Sequence, residues 1–157
     1  MDAVVSDKSG RSPLPTPTLS VCLTCRGPGD TAETVVRGGA RFAEAILAAR
    51  RARGADLPAH TVRGVRCMSQ CLRPCTIALT CEGRFSYVFG DLDPGRDADD
   101  VLTLLATYAQ EPEGFLPRDR RPEPLQAGIL GRIPPLVTDS DLVTTLADDV
   151  HREREPQ

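Results

Sequence analysis

Between Thr18 and Thr24 the chain alternates, with Leu19, Val21 and Leu23 on one side and Ser20, Cys22 and Thr24 on the other. That two-residue period predicts a half-buried strand, which delivers Cys22 and Cys25 at its C-terminal end. A turn-rich loop, Arg26-Gly27-Pro28-Gly29-Asp30, follows. Val36, Ala40, Ala43, Ile46 and Leu47 then recur at helical spacing, Arg50, Arg51 and Arg53 suit the negative end of the helix dipole, and Gly54 stops the helix. Thr61 to Arg66 reads as a second short strand that runs straight into Cys67. Thr76 to Thr80 and Arg84 to Phe89 flank Glu82-Gly83 and predict a hairpin, with Phe85, Tyr87 and Phe89 on one face. Asp97 is placed to cap a helix whose acidic first turn, Asp99 and Asp100, precedes Val101, Leu104, Leu105 and Tyr108 at core spacing.

The predicted order is strand, helix, strand, strand, strand, helix, an α/β chain with a single core. Residues 1–17 read as a disordered tail and 18–110 as the folded domain. Residues 111–157 read as an extension in which Pro112, Pro117, Pro122, Pro124, Pro134 and Pro135 interrupt regular structure, with a short acidic helix between Asp139 and Arg154. At 157 residues one domain with a real core is the expectation.

Charge removes several functions. Lys and Arg number 19 against 22 Asp and Glu, so nothing marks a nucleic-acid or anionic-membrane binder. No apolar run resembles a signal-peptide core or a membrane span, and the reading is soluble and cytoplasmic. Thiols stay reduced in that compartment, so clustered cysteines point to metal or redox work and not to a disulfide framework.

Five of the six cysteines cluster, in Cys22-Leu-Thr-Cys25 and in Cys67-Met-Ser-Gln-Cys71-Leu-Arg-Pro-Cys75. Both clusters leave the ends of predicted strands, and neighbouring strands would bring their sulfurs together. A [2Fe-2S] cluster needs two thiolates per iron, and a zinc ion needs four soft ligands in a tetrahedron. Two cysteine pairs satisfy either, although Cys67 to Cys71 is one residue wider than a zinc knuckle. Cys22 and Cys25 could also work alone as a redox dithiol, but Gly27, Pro28 and Gly29 separate them from the helix whose N-terminus would activate a thiol. Ordinary buried cysteines are a poor account of five clustered thiols. Cys81 stands by itself and reads as a small core residue.

Arg73, between Cys71 and Cys75, could set positive charge beside anionic sulfur, or simply be a solvated loop residue. His60 and His151 read as solvated. The acidic run Asp91, Asp93, Asp97, Asp99 and Asp100 lacks EF-hand spacing and reads as loop and cap chemistry. Gly27-Pro28-Gly29 and Gly38-Gly39 form no phosphate-binding loop, and no general base or nucleophile pair predicts an enzyme.

The segment Cys67-Met-Ser-Gln-Cys71-Leu-Arg-Pro-Cys75-Thr-Ile-Ala-Leu, with Tyr87-Val-Phe-Gly-Asp-Leu-Asp-Pro94 and Gly131-Arg-Ile-Pro-Pro135, resembles the DUF1636 family of predicted metal-binding proteins. The element order and cysteine placement also resemble the thioredoxin-like [2Fe-2S] ferredoxins. That second resemblance implies a thioredoxin-like ferredoxin fold with Cys22, Cys25, Cys67 and Cys71 as cluster ligands and Cys75 available to replace one of them. Electron transfer to a protein redox partner is the function it implies. The alternative is a metal-handling protein that carries zinc or cobalt on the same thiols to a metal-receiving enzyme, since the first family is associated with cobalamin and cobalt metabolism. A homodimer is compatible with either.

Overall fold

A computed structural model describes residues 14–146. Strand β1 (Thr18–Cys22) leads to helix α1 (Gly38–Arg53), a 3-10 turn at Gly54–Asp56, and strand β2 (Thr61–Val65). The hairpin β3 (Ile77–Thr80) and β4 (Ser86–Phe89) follows, then helix α2 (Ala98–Gln110). A 3-10 turn at Arg118–Arg120, a short helix α3 (Glu123–Ala127) and strand β5 (Ile129–Ile133) complete the described chain. The five strands form one sheet in the order β2-β1-β3-β4-β5. β1 and β2 are parallel, as the crossover through α1 requires, and β3, β4 and β5 join antiparallel to one another and to β1.

The α/β class and the order from β1 to α2 are those expected. Gly54 ends α1 at φ +50, donating its N–H to Arg50 O, and Gly83 turns the hairpin at φ +72. Phe85, Tyr87 and Phe89 are buried together, with Tyr87 and Phe89 stacked at 5.8 Å between ring centroids. Val101, Leu104, Leu105 and Tyr108 line the core face of α2. Asp97 precedes that helix but makes no side-chain cap; its carboxylate is enclosed, accepting from the Asp93 N–H at 2.7 Å and pairing with Arg96.

Four expectations change. β1 is buried on both faces: Leu19 and Val21 enter the core, and on the other face Ser20 and Cys22 are also enclosed, with the Ser20 hydroxyl accepting from Arg63 Nε at 2.8 Å. α1 turns Phe42 and Ile46 inward and leaves Leu47 and the preceding Val36 exposed, since a stripe of alanines cannot outweigh one phenylalanine. The domain does not close at 110: Leu116 and Leu125 are fully buried, and β5 pairs with β4 in the register Phe89 to Ile129. No helix forms over 139–146, and the remainder of the expected acidic helix, with most of the expected N-terminal tail and His151, lies outside the described residues.

Candidate metal centre

The parallel pairing of β1 and β2 sets Cys22 opposite Val65, so both strands release their cysteine segments at the same end of the sheet. Several bonds fasten these segments. Leu23 N–H donates to Val65 O at 2.8 Å, the Thr24 hydroxyl donates to Arg66 O, and Cys22 N–H donates to Thr76 O at 3.0 Å. Thr76 follows Cys75, and its hydroxyl bonds Arg73 O at 3.2 Å. The chain segments that carry the five cysteines therefore leave or enter three adjacent strands at one end of the sheet.

The thiols divide into an inner and an outer group. Cys22, Cys25 and Cys75 are buried, whereas Cys67 and Cys71 are exposed on the loop that joins β2 to β3. Among the described residues no three Cys, His, Asp or Glu side chains converge closely enough to hold a metal ion.

The segment 22–41 is packed against the start of α1 through glycine. A Cβ on Gly39 would stand 2.1 Å from Cys22 O, and one on Gly38 would stand 2.3 Å from Gly27 Cα; only hydrogen fits at either position. Gly39 N–H donates to Cys25 O at 3.0 Å. The residues Gly27, Pro28 and Gly29, which separate Cys25 from the helix along the chain, thus loop away and return, and the helix N-terminus abuts the cysteine pair in space.

Asp30 holds this return. Its Oδ2 accepts from Gly27 N at 2.8 Å and Gly38 N at 2.6 Å, its Oδ1 meets Arg41 at 2.8 Å, and its side chain is 2% exposed. Burial disfavours its charge, yet these two N–H groups and the guanidinium outweigh burial and hold the carboxyl below its ordinary value.

The two thiols of the first pair differ in character. Burial raises the Cys22 pKa, but hydrogen bonds from the Cys25 thiol, the Met68 and Thr24 N–H groups and the Thr24 hydroxyl prevail, so the net shift is downward. Cys25 is raised, first by burial and then by its role toward Cys22. Cys75 is pushed up to about 12, chiefly by burial and then by the neighbouring charges of Cys25 and Asp30.

Other candidates resolve simply. Arg73 is not a free charge beside sulfur, because Asp91 binds it at 2.7 Å through Nε and 2.5 Å through NH2. His60 is partly buried instead of solvated, and its Nδ1–H donates to Pro58 O at 2.7 Å. Cys81 is a core residue whose thiol donates to Pro15 O at 3.4 Å. An open cleft of about 640 Å³ runs along Arg96, Asp97, Asp100 and Glu123, and no cysteine lines it. Asp30, the Gly38-Gly39 pair, Thr24 and Thr76 escaped sequence reasoning, although two adjacent glycines at a helix start are a signal of close backbone approach.

These features define a small α/β protein whose one sheet has the strand order β2-β1-β3-β4-β5, with cysteine-bearing segments beside the N-terminus of its first helix. The chain belongs to the family described as "Protein of unknown function (DUF1636)", whose profile matches residues 19–135. Among solved structures it is similar to a thioredoxin-like [2Fe-2S] ferredoxin from Aquifex aeolicus, at 15% identity and a TM-score of 0.48, over 78% of this chain and 98% of that one. No curated protein matches it. Among the described residues no helix is long and apolar enough to cross a membrane.

Proposed function

We propose that Cys22, Cys25, Cys67 and Cys71 hold one [2Fe-2S] cluster, with Cys75 beside them, and that the protein passes single electrons to a partner protein instead of transforming a substrate of its own. The observation that carries this reading is the parallel β1–β2 pair, which releases both cysteine segments at one end of the sheet. Four soft thiols in two pairs fit the two-per-iron demand in number and chemistry. When bound, such a cluster supplies a one-electron redox couple.

The chain's own residues have definable parts in this. Met68 N–H and Thr24 stabilise negative charge on the Cys22 sulfur, which favours there the thiolate form that any soft metal needs. Thr24 ties the inner segment to the outer loop at Arg66. Because the outer thiols are exposed, loading the centre requires residues 66–74 to fold over the inner pair.

The visible absorption spectrum and iron content of anaerobically purified protein test the proposal. Iron and acid-labile sulfide in equal amounts, with a coloured spectrum, support it. Colourless protein with one zinc per chain overturns it in favour of a metal-handling role, and cobalt bound at these thiols does the same.

A second reading is favoured by one observation, the α1 N-terminus against Cys22 and Cys25, the arrangement that the sequence separation argued against. In thiol–disulfide exchange the Cys22 thiolate attacks a substrate disulfide, releasing one thiol and forming a mixed disulfide. Cys25 then attacks the Cys22 sulfur, releasing the second thiol and leaving a Cys22–Cys25 disulfide. Insulin reduction that survives Cys67→Ser and is lost in Cys22→Ser supports this reading; its absence from the native protein removes it.

A further inference from the structure

The segments that carry the cysteines differ in charge from the rest of the molecule. Residues 22–41 and 61–75 contain Arg26, Arg37, Arg41, Arg63, Arg66 and Arg73 against only Asp30 and Glu33, in a chain whose net charge is −3. Asp30 is enclosed and matched by Arg41, and Asp91 matches Arg73. Among the described residues no carboxylate lies within ion-pair distance of Arg26, Arg37, Arg63 or Arg66.

Apolar side chains stand among these arginines. Leu72 and Val35 are each 94% exposed, and Val36 and Leu23 are also exposed. Leu72 lies between Cys71 and Arg73, and Leu23 lies between Cys22 and Cys25. Leu23 and Leu72 thus flank the thiols in sequence, and the β1–β2 pairing brings their segments to one end of the sheet.

We propose that this end of the sheet is a docking face for a partner protein that presents a carboxylate-rich patch with an apolar centre. The inference rests on the thiol-centre reading for what the partner exchanges there, but the face itself needs no bound metal. Positive rim charges attract and orient such a patch, and exposed leucine and valine supply the contact that loses water. Arginine is the cation enriched at protein interfaces. The two segments contain no aromatic residue on which a nucleic-acid base could stack, which separates this face from a single-strand binding groove. A neutral or basic partner would meet the four unmatched guanidinium groups unfavourably, so the same charges also select against wrong partners.

The test uses the reduced, metal-free full chain and a fluorescent twelve-residue peptide of glutamates around a central Leu-Leu, followed by anisotropy at low and near-physiological salt. The expected result is binding that weakens about tenfold in the double variant Arg26→Glu, Arg66→Glu and a few-fold in Leu72→Ser, with added salt acting like the charge reversal. The control pair Arg50→Glu, Arg51→Glu, with the same change of net charge at the far end of α1, is expected to change binding less than about twofold. Equal loss in the control pair, or no binding by the native chain, overturns the proposal. So does tighter binding of duplex DNA or of phosphatidylserine vesicles, or concentration-dependent self-association that the Arg26, Arg66 variant abolishes. Native protein that is colourless and iron-free when purified anaerobically, while the metal-free chain still binds the peptide, overturns the cluster reading alone; coloured native protein whose metal-free chain ignores the peptide overturns the docking face alone.

Discussion

Replacing Gly39 by alanine probes the contact on which the inner thiol pair depends. Gly39 is in the first turn of α1, and alanine there would by itself favour the helix by about 1 kcal/mol. The added Cβ would stand 2.1 Å from Cys22 O and 3.1 Å from Cys25 N, against backbone that has no rotamer with which to yield. Overpacking of this kind costs roughly 1–3 kcal/mol, and contact with backbone belongs in the upper half of that range. The net expectation is destabilisation by about 1–2 kcal/mol, opposite in sign to the helix preference, and a melting temperature lowered by roughly 2–8 °C for a chain of 157 residues. Gly131→Ala is the internal control, because nothing lies within 4 Å of its added Cβ and its φ is ordinary; a gain of about 0.5 kcal/mol is expected there. Thermal unfolding followed by circular dichroism, together with metal content per chain, measures both effects. If Gly39→Ala is as stable as the native protein and retains its metal, the helix start does not press on the cysteine pair and the reasoning fails.

The enclosed Asp30 carboxylate, whose pKa is lowered in the fold, contributes stability that is present above the ordinary carboxylate value and lost as pH falls through the lower one. Asp30→Asn is therefore expected to be less stable at neutral pH and to converge with the native protein as pH falls through the lowered Asp30 value; parallel acid-unfolding curves would contradict this. Ending the chain at Gln110 removes fully buried Leu116 and Leu125 together with β5, a loss of about 3–6 kcal/mol for the leucines alone. That approaches a domain's whole stability, so the truncated chain should show no cooperative melt, whereas a chain ending at Pro135 should. Trypsin should cut after exposed Arg66 in the metal-free protein and about fivefold or more slowly once the centre is loaded, since residues 66–74 must then fold inward; equal rates would refute that movement.

Much of the architecture was legible because it rests on local chemistry. Alternation marked β1 and the hairpin, Gly54 and Gly83 marked where elements end or turn, and α2 carried a clear apolar face with Val101, Leu104, Leu105 and Tyr108. The face of α1 differs from the one its alanine spacing predicts because Ala40 and Ala43 bury little area, so Phe42 and Ile46 set the orientation. β5 was hidden by flanking prolines and by Gly131, which interrupts the alternation; its pairing depends on β4 and not on its own sequence.

The candidate centre was legible as composition and only partly as geometry. Paired cysteines at strand ends signalled that the segments carrying them leave β1 and β2 at the same end of the sheet, which the parallel pairing bears out. Nothing local indicated that Cys22, Cys25 and Cys75 are enclosed while Cys67 and Cys71 face solvent. Burial is decided by the Gly39 contact, the Asp30 clamp and the Thr76 bond, all of which join positions distant in the chain. The separation of Cys25 from α1 along the chain was similarly undone by a loop that Asp30 closes.

Metal and sulfide content of the native protein and of Cys22→Ser and Cys67→Ser, each purified anaerobically, test whether the inner and outer thiols serve one centre. Either substitution alone is expected to remove or severely labilise the whole complement of metal, with the coloured spectrum lost or shifted in both. Full native metal content and an unaltered spectrum in Cys67→Ser would contradict it, because the site would then belong to the inner thiols alone.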